Sequence, residues 1–162
     1  MFNLFGSKSK EITLVAPLTG EVVDLSEVPD DVFANKVVGD GIAIKPSEGK
    51  LVAPVEGVVK QVFPTKHAVG METSEGVELL MHIGINTVEL NGEGFEKLID
   101  EGTKVKPGDE LIKFDIDYIS ENATAIVTPI LITNMDEVES VEAVDTKEIT
   151  AGQEEVLTIK ID

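Results

Sequence analysis

From Ile12 to Val62 short runs of β-branched apolar residues alternate with turn residues, and no apolar stripe of useful length recurs at helical spacing. The stretch "GIAIKPSEGKLVAPVEGVVKQVF" places Pro46, Gly49, Pro54 and Gly57 between runs rich in Ile and Val, which limits each strand to a few residues. Short strands with frequent turns predict an all-β chain folded as a sandwich or barrel. Further along, "VKPGDELIKFD" at 105–115 reads as a turn followed by a strand, and the segment from Asn134 onward closes the chain with two or three more strands. Two short helices are expected, near Phe95 to Glu101 and over Ile116 to Asn122, where small apolar spacings interrupt the β pattern.

One pattern occurs twice. "VAPLTGEVV" at 15–23 and "VAPVEGVVK" at 52–60 share Val, Ala, Pro, Gly and Val at identical spacing, offset by 37 residues. In each copy Pro enforces an extended entry and Gly allows a tight turn or bulge, so two related β-corners are expected to build the core together.

The length, 162 residues, fits one domain large enough to bury a real core. Thirteen Lys and Arg against thirty-one Asp and Glu leave a formal charge of -18, which argues against tracking a phosphate backbone and so against nucleic acid as a partner. An acidic surface would steer basic protein patches, although a solubilising coat accounts for most of these carboxylates equally well. With no cysteine, disulfides, thiolate nucleophiles and cysteine-ligated metals are excluded. The opening "MFNLFGSKSKE" holds too few bulky apolar residues for a signal peptide or a membrane span, so the chain reads as cytoplasmic, with a flexible segment at 1–10 and a single domain over 11–162. Lysines beside Phe2, Leu4 and Phe5 leave room for weak contact with a membrane surface, and a frayed terminus is the simpler account.

Only two histidines occur, His67 and His82. The "ETSEGV" segment between them reads as a hairpin loop with Gly76 at its closing end. If the loop is centred between Ser74 and Glu75, residues whose numbers sum to 149 face one another, and His67 then opposes His82. Directly opposed β-carbons lie about 5 Å apart, close enough for two imidazoles to share a transferring group, and a bulge at Gly76 would slip this register by one. A lone histidine is more often a core or surface residue; the only two in a chain, facing each other, read as a site.

Two imidazoles are one ligand short of a catalytic zinc site, and no HExxH motif stands nearby. No G-x-S-x-G elbow, P-loop or dinucleotide fingerprint is present either. What remains is histidine as a nucleophile, since a neutral imidazole nitrogen accepts an electrophilic phosphoryl group without help from a base. Burial in an apolar strand disfavours imidazolium and keeps the lone pair available, and with Gly84 following, a backbone carbonyl close by could take the Nδ1 proton of His82 and leave Nε2 outward.

In order along nearly the whole chain, "VAPLTGE", "VPDDVFANKVVGDGIAIKPSEG", "VAPVEGVV", "FPTKHAVG", "GVELLMHIGINTVELNGEGF", "VKPGD" and "TPILITNMDE" resemble the glucose-family IIA component of the bacterial phosphoenolpyruvate-dependent sugar phosphotransferase system. The resemblance implies an antiparallel β-sandwich with a duplicated hybrid motif and the histidines in a shallow apolar depression. It implies His82 as phosphoryl acceptor through Nε2, His67 as its supporting neighbour, Thr65 bonded to His67, and the Gly84 carbonyl orienting His82. Phosphoryl groups would arrive from the histidine-containing phosphocarrier protein and leave to a cysteine of a IIB sugar-permease domain, with no metal, nucleotide or other cofactor. Val32, Phe33, Val38, Phe63 and Val69 would form an apolar docking face with Asp30 at its edge.

Where such chains commonly read "HFGIDTV", this one reads "HIGINTV". Ile83 keeps the apolarity, whereas Asn86 removes a carboxylate implied to engage the carrier's basic residues; both positions are assigned to partner contact. Two other architectures share parts of the pattern. A lipoyl- or biotinyl-like carrier would need a lone lysine at a hairpin tip, and a zinc peptidase would need a third ligand and a His-x-His pair; neither is present.

Overall fold

A computed structural model describes residues 10–161. The proposed membrane contact of the N-terminal segment falls on residues outside that range, although Lys10 is already in a strand. The described strands are β1 (Lys10–Val15), β2 (Gly20–Val23), β3 (Asp40–Pro46), β4 (Lys50–Val52), β5 (Gly57–Val62), β6 (Ala68–Thr73) and β7 (Glu78–His82). They continue with β8 (Phe95–Lys97), β9 (Lys104–Val105), β10 (Glu110–Phe114), β11 (Thr128–Ile132), β12 (Ser140–Ala143), β13 (Glu148–Ile149) and β14 (Glu155–Ile161). Two short α-helices, α1 (Asp31–Ala34) and α2 (Ile116–Asn122), complete the set with three single-turn 3₁₀ segments. An eight-stranded sheet runs in the order β13-β2-β3-β11-β7-β6-β5-β9, and two three-stranded sheets, β1-β14-β12 and β4-β10-β8, accompany it. Pairing is antiparallel throughout, as an all-β sandwich requires.

Successive strand side chains point to opposite faces, and this sheet buries both. Ile42, Ile44, Ile130 and Ile132 enter the main core, shared with Leu14, Leu51, Leu111 and Ile159 of the smaller sheets. Between them in sequence, Ala43 and Leu131 enter a second cluster with Leu25, Val28, Phe33 and Ile85. In β7 the same alternation sends Leu79 and Met81 into the main core and Leu80 toward the second cluster, so His82 emerges on the side of Phe33.

The duplication is visible in the hydrogen bonds. Val15 N–H donates to Pro54 C=O and Val52 N–H to Pro17 C=O, both at 2.9 Å, so the two copies hold each other about a pseudo-two-fold axis. Each is closed by a distant segment in the same way. Ala16 exchanges bonds with Gly152 and Glu154, and Ala53 does so with Gly108 and Asp109. β13 lies on β2 with Ile149 opposite Gly20, as β9 lies on β5 with Val105 opposite Gly57. The repeated glycine has a steric cause: a Cβ on Gly20 would stand 2.1 Å from the Lys45 carbonyl oxygen, and one on Gly57 2.5 Å from that of Glu72.

Three expectations need correction. Phe95 to Glu101 is not helical; Phe95, Leu98 and Ile99 have helical spacing, but Phe95–Lys97 is β8, paired with β10. The hairpin register follows numbers summing to 150, with Ala68 opposite His82, so the histidines are not directly opposed. The cause is the three-residue loop 74–76: Gly76 N–H bonds the Thr73 carbonyl, and Gly76 itself is left-handed (φ +92°). Lastly, Val69 and Ile83 are fully buried in the main core, so they do not line the proposed docking face. The helix over Ile116 to Asn122 is present as α2, with Asp115 Oδ1 capping it through Tyr118 N–H at 3.1 Å.

Candidate functional site

His82 is the last residue of β7, where the ladder ends and the backbone turns through Gly84 (φ +71°) and Asn86 (φ +61°). That turn brings the Gly84 carbonyl back to 2.8 Å from His82 Nδ1. A carbonyl only accepts, so Nδ1 carries the proton and Nε2 keeps its lone pair. A side chain on Gly84 would meet Thr87 Cγ2 at 2.7 Å and the Ala125 carbonyl oxygen at 2.9 Å, on a backbone that L-residues rarely adopt. Glycine is therefore the residue that permits this carbonyl its position.

His67 precedes β6, and its carbonyl accepts from Ile83 N–H at 2.7 Å. Strand alternation alone would turn His67 away from His82, but extended structure breaks at left-handed Lys66 (φ +62°). The two imidazoles meet edge to face, centroids 4.8 Å apart and planes at 80°. Phe33 of α1 packs on His82 at 5.0 Å and Phe63 on His67 at 5.5 Å, so four rings form the row Phe33, His82, His67, Phe63. Thr65 Oγ1 stands 2.6 Å from His67 Nδ1. When the hydroxyl donates, His67 presents Nε2–H, the complement of the bare Nε2 of His82.

Burial pushes the His67 imidazole down to about 4, with repulsion from His82 adding to the effect. Burial also lowers His82, against the Gly84 carbonyl and the Asp30 carboxylate, which favour its charged form. Both rings are therefore neutral at physiological pH. Asp30 has a second task, since its Oδ1 accepts from Val32 N–H at 2.9 Å and caps the helix that carries Phe33.

Around the rings, Val32 is exposed, Val38, Phe63 and Asp30 are half-buried, and Phe33 is buried against His82. Asn86 is exposed and donates Nδ2–H to Thr124 Oγ1 at 2.6 Å. The sequence reading passed over two exposed apolar residues next to these in the chain, Val37, whose N–H bonds the Val32 carbonyl, and Val88, two residues after Asn86. The available signal was an apolar residue inside a turn-rich segment with no strand to bury it. Among the described residues no group of three or more His, Asp or Glu side chains is placed to hold a metal ion, and no helix is long and apolar enough to cross a membrane.

The family model described as phosphoenolpyruvate-dependent sugar phosphotransferase system, EIIA 1 matches residues 12–138. A "PTS system glucose-specific EIIA component" of Staphylococcus epidermidis is 47% identical over 165 residues, spanning 99% of this chain and 99% of its own. A protein of the same description from Oceanobacillus iheyensis is 48% identical over 159 residues, spanning 98% of this chain and 96% of its own. Among solved structures, "glucose permease IIA from Mycoplasma capricolum" is similar with a TM-score of 0.85 and 37% identity, over 96% of this chain and 99% of that one.

Proposed function

Since this chain belongs to the EIIA 1 family of the phosphoenolpyruvate-dependent sugar phosphotransferase system, a phosphocarrier that works with the other proteins of that system, we propose that it carries the phosphoryl group on Nε2 of His82. The observation that carries this reading is the 2.8 Å contact between His82 Nδ1 and the Gly84 carbonyl, which leaves Nε2 as the free nucleophile. The donor is the histidine-containing phosphocarrier protein. Its N–P bond breaks with the electron pair returning to the donor imidazole, while the Nε2 lone pair of His82 forms the new N–P bond in line. In the second step a cysteine thiolate of a IIB permease domain attacks the same phosphorus, and His82 leaves as neutral imidazole.

His67 assists both steps by donating Nε2–H to a phosphoryl oxygen, held in that tautomer by Thr65. Val32, Val38 and Phe63 provide the apolar docking face, with Val37 and Val88 extending it and Asp30 and Asn86 at its polar edge. Residues 11–162 act as one IIA domain in the cytoplasm, and the glucose-specific descriptions of the relatives support glucose as the sugar served. The test is intact mass after mixing with phosphoenolpyruvate, the system's first enzyme and the histidine-containing carrier. Gain of one phosphoryl group on His82, labile in acid and resistant to alkali, is expected. An acid-stable adduct on Ser or Thr would sink the proposal.

A further inference from the structure

Among the described residues four polar side chains are buried: His67, Thr73, Thr87 and Thr128. Thr73 serves the hairpin, accepting from Val77 N–H at 3.1 Å. The other two threonines, fully buried, converge on one peptide group beside the histidines. Thr87 Oγ1–H donates to the Ile83 carbonyl at 2.6 Å. Thr128 Oγ1 accepts from Gly84 N–H at 3.3 Å and donates its own proton to the Ile126 carbonyl at 3.0 Å. The Ile83 carbonyl and the Gly84 N–H are the two ends of a single peptide unit.

Valine would fill either position without burying a hydroxyl, so these hydroxyls are accounted for by what they bond. What they bond is the residue with the most rotational freedom in the turn. The peptide after Gly84 is held separately, by Ile85 N–H donating to the Ala125 carbonyl at 2.9 Å. With both flanking peptides fixed, the Gly84 carbonyl has one direction left, toward His82 Nδ1.

We propose that Thr87 and Thr128 are positioning residues for phosphoryl transfer: by clamping the Ile83–Gly84 peptide from both ends they keep the Gly84 carbonyl on His82 Nδ1–H and so keep Nε2 unprotonated. This deepens the reading of His82 as acceptor and rests on it. Neither residue touches the phosphoryl group.

The test is the ¹⁵N spectrum of histidine-labelled protein, read alongside the rate of phosphoryl uptake from the histidine-containing carrier. In the unaltered protein His82 is protonated at Nδ1. In Thr87→Val and in Thr128→Val the Nε2–H tautomer becomes populated at His82 while the His67 signals stay in place. Uptake then falls roughly tenfold, the factor one lost hydrogen bond of ordinary strength is worth. Thr87→Ser and Thr128→Ser keep the hydroxyl and restore both readouts. A valine variant with either readout unmoved overturns the proposal. Should the valine variants fail to fold, hydrogen exchange of the Gly84 amide in the unaltered protein decides: protection supports the clamp, and exchange at the rate of an exposed loop amide overturns it. Intact mass of the unaltered protein tests the carrier reading alone, because the tautomer is measured without any phosphoryl group present.

Discussion

His82 and His67 are both neutral imidazoles in one row of rings, yet their hydrogen bonds suit them to opposite work in the proposed transfer. His82→Gln removes the lone pair at Nε2, so no phosphoryl uptake is expected at any practical carrier concentration. His67→Gln leaves that nucleophile and substitutes an amide donor, so uptake persists, slowed by roughly tenfold or less, while onward transfer to the IIB cysteine suffers more. Separate rate measurements of the two steps on both variants check this, and a His67→Gln protein that donates at the unaltered rate reduces His67 to packing. Asn86 offers a second test. Its amide is spent on Thr124, whose hydroxyl can turn and donate to a carboxylate instead, so Asn86→Asp fits the same place. It should speed uptake from a basic carrier a few-fold at low salt, with the gain shrinking as salt rises. Equal rates at low ionic strength would place Asn86 outside the contact. The Gly84 carbonyl was legible from sequence because it lies two residues after His82, whereas the histidines meet by a route the hairpin spacing did not report: Ala68 opposes His82, and the break at left-handed Lys66 turns His67 toward it. The contacts of Thr87 and Thr128 with the Ile83–Gly84 peptide were not legible either, since Thr128 reaches Gly84 from a strand 44 residues away.

At the scale of elements, α1 is only four residues long, yet it places Phe33 on His82 and depends on Asp30 as its cap. Asp30→Asn keeps the cap and removes the charge, so stability should hold while the His82 titration midpoint, followed by NMR, moves further down. Asp30→Ala loses both, at about 1 kcal/mol in denaturant unfolding. Equal midpoints for wild type and Asp30→Asn would show that the carboxylate does not reach His82. The element errors of sequence reading share one physical origin. The spacing of Phe95, Leu98 and Ile99 suits a helix, and only the partner strand β10 decides otherwise; the hairpin slipped by one because a left-handed Gly76 adds a loop residue that apolar periodicity does not report. The repeat at offset 37, by contrast, was legible because the side chains that build it are the same in both copies.

For the whole molecule, the buried neutral His67 makes stability depend on pH. Its folded-state value is about 4 and its ordinary value 6.5, so between these the unfolded chain binds a proton that the folded protein refuses. The contribution is full above pH 6.5 and is lost as pH falls toward 4, at most about 3 kcal/mol. Burial pushes His82 the same way. Denaturant unfolding of wild type and His67→Gln across this window isolates the effect, because the carboxylates are common to both; parallel curves would show that His67 titrates normally.

The pseudo-two-fold supplies an internal control. Gly20 and Gly57 occupy equivalent corners with the same steric conflict waiting for a methyl group, but only the second begins the strand that leads to Phe63 and His67. Alanine at either corner should lower the unfolding midpoint to a similar degree. Phosphoryl uptake should fall further in Gly57→Ala than in folded Gly20→Ala, whose strand leads toward Asp30 and Phe33 and not toward His67. One half of the molecule thus serves as the reference for a crowded corner away from His67, and comparing it with the other isolates the His67 share of the chemistry without a second protein.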